Sequence, residues 1–222
     1  MTMSYGIIFD MDGVLVDSGD AHYEAWRRVG AEEGVPYPRA FFDRTFGMHN
    51  RQTIPLWLGR RVSEEAIARL AERKEALYRQ SARKLLRPIP GAVELVCALA
   101  REGIRLAVGS SGPRANIALG LELLGIASFF RALATGDDVK RGKPAPDIFL
   151  YAASQLAIQP KRCVVIEDAP PGIEAAHAAG MRVIALPTSR PAAQLVAADM
   201  ILPSFHDWRM EFFSRFGIPV RS

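Results

Sequence analysis

The stretch Tyr5–Ser18 reads YGIIFDMDGVLVDS. It opens with a short apolar run, Gly6 to Phe9, rich in strand-forming residues. It then turns acidic: Asp10 and Asp12 stand on either side of Met11, and Gly13 follows. Ionised carboxylates beside a core are costly unless something compensates them. A cation is the usual compensator, and Mg2+ prefers hard oxygen ligands of this kind. Gly13 lets the chain turn through backbone angles closed to other residues. The pattern fits a strand whose C-terminal end delivers carboxylates into the open crevice where α/β sheets bind ligands. The same letters also suit a strand followed by a solvated Asp–Gly turn, and the segment alone does not choose between them.

Three later segments place polar groups beside apolar runs or in tight loops. LAVGSSG brings Ser110 and Ser111 directly after Leu106–Val108 and Gly109. The Ser110 hydroxyl and the Ser111 N–H can hold phosphoryl oxygens near the start of the next helix, where anions are favoured; alone, SSG is an ordinary turn. GKPAPDIF holds Lys143 between Gly142 and Pro144. A lysine in a restrained loop can place a compact positive charge on a phosphoryl group. VVIEDAPPGIEAAHAAGM ends the apolar run Cys163–Ile166 with Glu167 and Asp168. These four segments, in this order, resemble the motifs of the haloacid dehalogenase superfamily, mostly Mg-dependent phosphoryl-transfer enzymes. The resemblance is nearest to the branch of β-phosphoglucomutase and phosphoglycolate-type phosphatases, and it spans nearly the whole chain.

The hydrophobic pattern divides the sequence in two. From Gly19 to about Leu85 it is helical, with segments expected at Asp20–Val29 and Arg39–Thr45 and a long one after the N-cap candidate Ser63. A further helix ends at Leu58, and Pro55 predicts that it starts at or near Ile54. From Pro88 onward, short apolar strands alternate with helices, which predicts a parallel sheet covered on both faces. The expected fold is therefore α/β: a Rossmann-like core of residues 1–16 and 87–222, with a helical-bundle cap, residues 17–86, inserted after the first strand. A cap hinged beside an acidic crevice can exclude water during chemistry and open for exchange.

Composition narrows the function. The net charge is only +4 and no basic run occurs, which points away from a nucleic-acid groove. No apolar stretch is long enough to span a bilayer, and the N-terminus lacks the order of a signal peptide. Cys97 and Cys163 lie far apart in apolar surroundings and read as buried thiols, which suggests the reducing cytoplasm. A monomer is expected.

The resemblance implies roles. Asp10 is the nucleophile that forms an aspartyl phosphate. Asp12 is the general acid and base, and its backbone carbonyl also serves the cation. Ser110 and Lys143 complete the catalytic set. Mg2+ is held by Asp10, Asp12, Glu167 and Asp168. Ser111, Arg51, His22, Lys74 and Arg114 are the candidate substrate contacts. The expected activity is Mg-dependent hydrolysis of a small phosphorylated metabolite, such as a sugar phosphate. A β-phosphoglucomutase-like phosphomutase is the alternative, with a non-catalytic phospho-binding module behind it. Mutase relatives carry a Ser-Lys-type stretch after the Ser110 motif, where this chain has Gly112-Pro113-Arg114.

Overall fold

The computed structural model describes residues 5–218. Strand β1 (Gly6–Phe9) is fully buried. The chain then makes a tight turn to β2 (Val16–Asp17) and enters four helices: α1 (Gly19–Glu32), α2 (Arg39–Thr45), α3 (Asn50–Leu58) and α4 (Glu64–Leu85). It returns through β3 (Arg87–Pro88), which forms a two-stranded sheet with β2. The remainder alternates: α5 (Ala92–Arg101), β4 (Arg105–Gly109), α6 (Arg114–Leu123), β5 (Phe130–Ala134), α7 (Asp147–Leu156), β6 (Cys163–Glu167), α8 (Pro170–Ala178), β7 (Arg182–Ala185), β8 (Met200–Ile201) and α9 (Met210–Arg215). Two compact units result, Met1–Asp17 with Pro88–Ser222, and Ser18–Arg87.

The large unit is built on a six-stranded sheet in the order β5-β4-β1-β6-β7-β8. Every pairing in it is parallel. The hydrophobic run of β1 has water on neither face, as expected for a central strand of a parallel sheet. From β1 the chain builds outward through β4 and β5, then crosses back to build β6, β7 and β8 on the other side. That reversal beside β1 is the switch point at which such sheets bind ligands. Helix α7 packs on β1, β4 and β5 through Ile148, Phe149, Ala152 and Ala153, all buried. Gly109 is needed here, because a Cβ on it would stand 3.0 Å from both Ile8 and Phe149.

The helical unit packs α1 against α4. Its centre is aromatic: Trp26 stacks on Tyr37 with centroids 4.9 Å apart, and Trp57 meets Trp26 edge-on at 6.0 Å. Trp57 also donates its Nε1–H to the Pro36 carbonyl at 3.1 Å. Both tryptophans therefore serve packing. Ser63 caps α4 by accepting the Ala66 N–H at 3.3 Å.

Two local expectations are corrected. Helix α3 begins at Asn50, before the start that Pro55 implied, and carries Pro55 inside it. His49 supplies the reason: its carbonyl accepts from Gln52 and Thr53, and its Nδ1 accepts the Arg51 N–H at 3.3 Å. Those caps hold a turn ahead of the proline. Strand β5 begins at Phe130 rather than Ala132, with a register irregularity opposite Leu106 and Ala107. The exposed Arg131 at this sheet edge interrupts the apolar run that would have marked the strand. Cys97 and Cys163 form no disulfide, and Cys163 is buried. Among the described residues, no helix is long and apolar enough to cross a membrane.

Candidate active site

Register alone brings the acidic segments together. Phe9 pairs with Val108 on one side and Ile166 on the other. The ladder continues one step further, where the Asp10 N–H donates to the Ile166 carbonyl at 2.9 Å. Asp10 thus leaves the sheet beside Glu167, and Gly109–Ser110 lies on its other flank. Lys143, from the loop before α7, closes the group. Its Nζ donates to Asp10 Oδ1 at 2.8 Å and to Glu167 Oε1 at 2.7 Å. It also lies 4.8 Å from the Phe149 ring centroid. Glu167 Oε2 accepts the N–H groups of Asp168 and Ala169, at 2.7 and 3.0 Å, where α8 begins. A Cβ on Gly172 would collide with the Glu167 carboxylate, so that glycine makes room for it.

These groups are buried and strongly coupled. The Asp10 carboxyl is raised to about 7: burial raises it most, Lys143 pulls it down, and Glu167 and Asp12 push it up. Asp168 is raised well above the ordinary carboxylate range by burial first, then by Glu167 and Asp10. Burial alone would lower the Lys143 ammonium, but Asp10 and Glu167 outweigh it and raise it. One ammonium faces three carboxylates, so their full ionisation would leave negative charge in excess, and this repulsion adds to burial in raising the two aspartates.

Asp12 follows at the turn, partly exposed, and pairs by backbone with Val16. It lies outside the side-chain cluster of Asp10, Glu167 and Asp168. Gly13 has a φ of +77°, and a Cβ there would stand 1.9 Å from Asp168 Oδ2. The turn after Asp12 therefore lies directly on the Asp168 carboxylate. Ser110 is buried, donates its N–H to the Ala134 carbonyl, and accepts the Gly112 N–H on its hydroxyl at 3.3 Å. Ser111 is exposed. Arg114 is held by Asp138, with both carboxylate oxygens within 2.9 Å of its Nη2, and by the Leu133 carbonyl.

In the helical unit, His22 and Lys74 meet. Lys74 Nζ lies 2.8 Å from His22 Nδ1, and the His22 ring stacks on Tyr78 at 4.0 Å. An ammonium has only donors, so Nδ1 is the accepting atom of this contact. Sequence reasoning missed the group that holds this pair. Glu75 accepts from Lys74 at 2.9 Å and from Asn50 at 2.7 Å, and is itself buried. Burial would raise its carboxyl, yet Lys74, His22 and Asn50 bring it down to about 2. Arg51 stands apart from them, exposed and paired with Glu64. His49 is occupied as the cap of α3. Sequence reasoning also passed over Thr188 and Ser189, whose only signal is two hydroxyls shortly after a strand end.

Asp10, Glu167 and Asp168 each offer a carboxylate oxygen, and these atoms lie within 4.8 Å of one another. Hard oxygen donors, burial and excess negative charge together fit a divalent cation such as Mg2+.

Comparison with known proteins agrees with this geometry. The haloacid dehalogenase-like hydrolase model matches residues 7–186. The chain belongs to that family. It is 34% identical over 199 residues to the chloroplastic 5-amino-6-(5-phospho-D-ribitylamino)uracil phosphatase of Arabidopsis thaliana; the match takes in 89% of the chain but only 53% of that longer protein. It is 33% identical to the phosphorylated carbohydrates phosphatase of Thermotoga maritima, over 80% of the chain and 82% of that protein. The structure of β-phosphoglucomutase from Clostridium difficile superposes with a TM-score of 0.84 at 27% identity, covering 96% of this chain and 97% of that one.

Proposed function

We propose that this protein is a Mg2+-dependent phosphatase that hydrolyses a small phosphorylated metabolite, a sugar phosphate or related phosphomonoester, through an aspartyl phosphate on Asp10. The observation that carries this reading is the buried cluster of Asp10, Lys143, Glu167 and Asp168 at neighbouring strand ends.

Asp10 Oδ attacks phosphorus, an O–P bond forms, and the bond to the leaving alcohol oxygen breaks. Asp12, outside the carboxylate cluster and partly exposed, delivers the proton that the leaving oxygen takes up. In the second half Asp12 accepts a proton from water as that water attacks phosphorus, releasing inorganic phosphate and restoring Asp10. Lys143 keeps positive charge against Asp10 while the phosphoryl group arrives. The Ser110 hydroxyl and the Ser111 N–H hold phosphoryl oxygens at the end of β4. The cation would be held by Asp10, Glu167, Asp168 and the Asp12 carbonyl. It would supply charge neutralisation that lets a carboxylate meet a phosphate dianion. We assign substrate choice to the helical unit, through His22 and Lys74, with Arg51 and Arg114 as outlying candidates.

Likeness to β-phosphoglucomutase favours one second reading, in which the phosphoryl group on Asp10 passes to another hydroxyl of a bound sugar. Gly112-Pro113-Arg114, in place of a Ser-Lys-type stretch, favours hydrolysis.

Phosphate release from p-nitrophenyl phosphate, and then from a panel of sugar phosphates, tests the proposal. Release is expected only with Mg2+, and Asp10→Asn is expected to abolish it. Turnover by Asp10→Asn would remove the nucleophile assignment. Conversion of β-glucose 1-phosphate to glucose 6-phosphate with a bisphosphate primer, without free phosphate, would decide for the mutase.

A further inference from the structure

We infer that Thr188 and Ser189 are positioning residues, a pair of hydroxyls that clamps the turn after Asp10 to the turn carrying Asp168. The inference rests on the phosphoryl-transfer reading above. It concerns residues that no motif in the sequence singles out.

Strand β7 ends at Ala185, and the Leu186 N–H donates to the Glu167 carbonyl at 2.8 Å as the last rung of the β6–β7 ladder. Beyond Pro187 the chain presents two hydroxyls in succession. Thr188 Oγ1 donates to the Gly13 carbonyl at 2.5 Å. Ser189 Oγ donates to the Asp168 carbonyl at 3.3 Å. One prong therefore grips each acidic turn. Sheet order places β6 between β1 and β7, so the Thr188 prong reaches past β6 to the turn that follows β1.

The two gripped turns meet at one point. A Cβ on Gly13 would stand 1.9 Å from Asp168 Oδ2 and 3.3 Å from Thr188 Oγ1. The carbonyl assigned to the cation, that of Asp12, is one peptide unit from the carbonyl that Thr188 holds. Rotation of the Asp12–Gly13 segment changes the separation between that oxygen and the Asp168 carboxylate. Mg2+ demands near-ideal octahedral geometry, so small changes in that separation weaken its binding. Outer hydrogen bonds that orient ligands affect metal affinity in this way.

Thr188 is exposed, so water can replace its hydrogen bond with little loss of folding free energy. The effect of removing the hydroxyl then falls on the turn rather than on the fold. Thr188→Val keeps the shape and removes the donor. Thr188→Ser keeps the donor and removes the methyl group. Ser189→Ala removes the second prong.

The parent protein and these variants are compared by two readouts. The first is the Mg2+ concentration that half-saturates the rise in melting temperature, measured without substrate. The second is the Mg2+ dependence of p-nitrophenyl phosphate turnover. Thr188→Val is expected to raise the half-saturating Mg2+ concentration about fivefold in both, with the cation-free melting temperature within about 2 °C of the parent. Thr188→Ser is expected to restore the parent value, and Ser189→Ala to shift it in the same direction as Thr188→Val. Unchanged Mg2+ half-saturation in Thr188→Val overturns the clamp. So does failure of that variant to fold, because a hydroxyl the whole fold requires is not a positioning device. Absence of any Mg2+ response in the parent protein is a separate result; it removes the phosphoryl-transfer reading and the clamp with it.

Discussion

Among the described residues Lys143 is the cation that pairs with both Asp10 and Glu167, and its side chain is only 9% exposed. Removing it leaves two buried carboxylates facing each other without that ammonium. Lys143→Met is therefore expected to lower turnover at least about a hundredfold. It is also expected to destabilise the cation-free protein by about 3 kcal/mol, read from urea melts. Saturating Mg2+ should recover part of the stability but not the turnover; equal recovery of both would mean that Lys143 acts only as a counter-ion. The places of Asp10, Lys143, Glu167 and Asp168 were legible chiefly because their segments together resemble known motifs; charge after an apolar run drew attention to the acidic ones, but each segment alone also reads as an ordinary turn. Glu75 and Asn50 were not. In a helix of Glu, Arg and Lys, a buried carboxylate reads like any solvated one. Only the tertiary approach of α1 and α3 identifies it.

At the scale of elements, α1, α3 and α4 are tied by one buried ionic group. Glu75 takes hydrogen bonds from Lys74 on its own helix and from Asn50 at the start of α3, while Lys74 meets His22 of α1. The folded carboxyl of Glu75 lies near 2, below its ordinary 4.5. Its contribution is complete above the ordinary value and is lost as pH falls through the folded one. The helical unit should thus lose about 3 kcal/mol between roughly pH 4.5 and pH 2. Fluorescence of Trp26 and Trp57 during acid titration reads this loss. Glu75→Gln should flatten that part of the curve, and an unchanged acid limb would contradict the assigned role. Element boundaries were legible where a cap residue and first-turn acids agree, as at Ser63 with Glu64 and Glu65. They were obscured at α3, where His49 offsets the penalty of Pro55, and at β8, where two half-buried residues carry too little pattern to mark a strand.

For the whole molecule, Mg2+ added to the cation-free protein should raise the melting temperature, because it offsets the excess charge among Asp10, Glu167 and Asp168. No shift at saturation would count against a preformed cation site. The strand order has a further consequence, for the history of the chain rather than its resting state. Strand β1 is made before both of its neighbours, β4 and β6, and Gly6 pairs with Cys163. Helices α1 to α4 come from one continuous stretch and need no such partners. On a ribosome, Ser18–Arg87 can gain its helices while Asp10 still waits on an unpaired strand. Pulse-labelled hydrogen exchange during refolding should find the amides of α1 and α4 protected before those of Ile7 and Ile8. Asp10, the proposed nucleophile, is thus synthesised well before the strands that flank it, and a chain cut short of β6 would carry it without the Glu167 and Asp168 that gather round it.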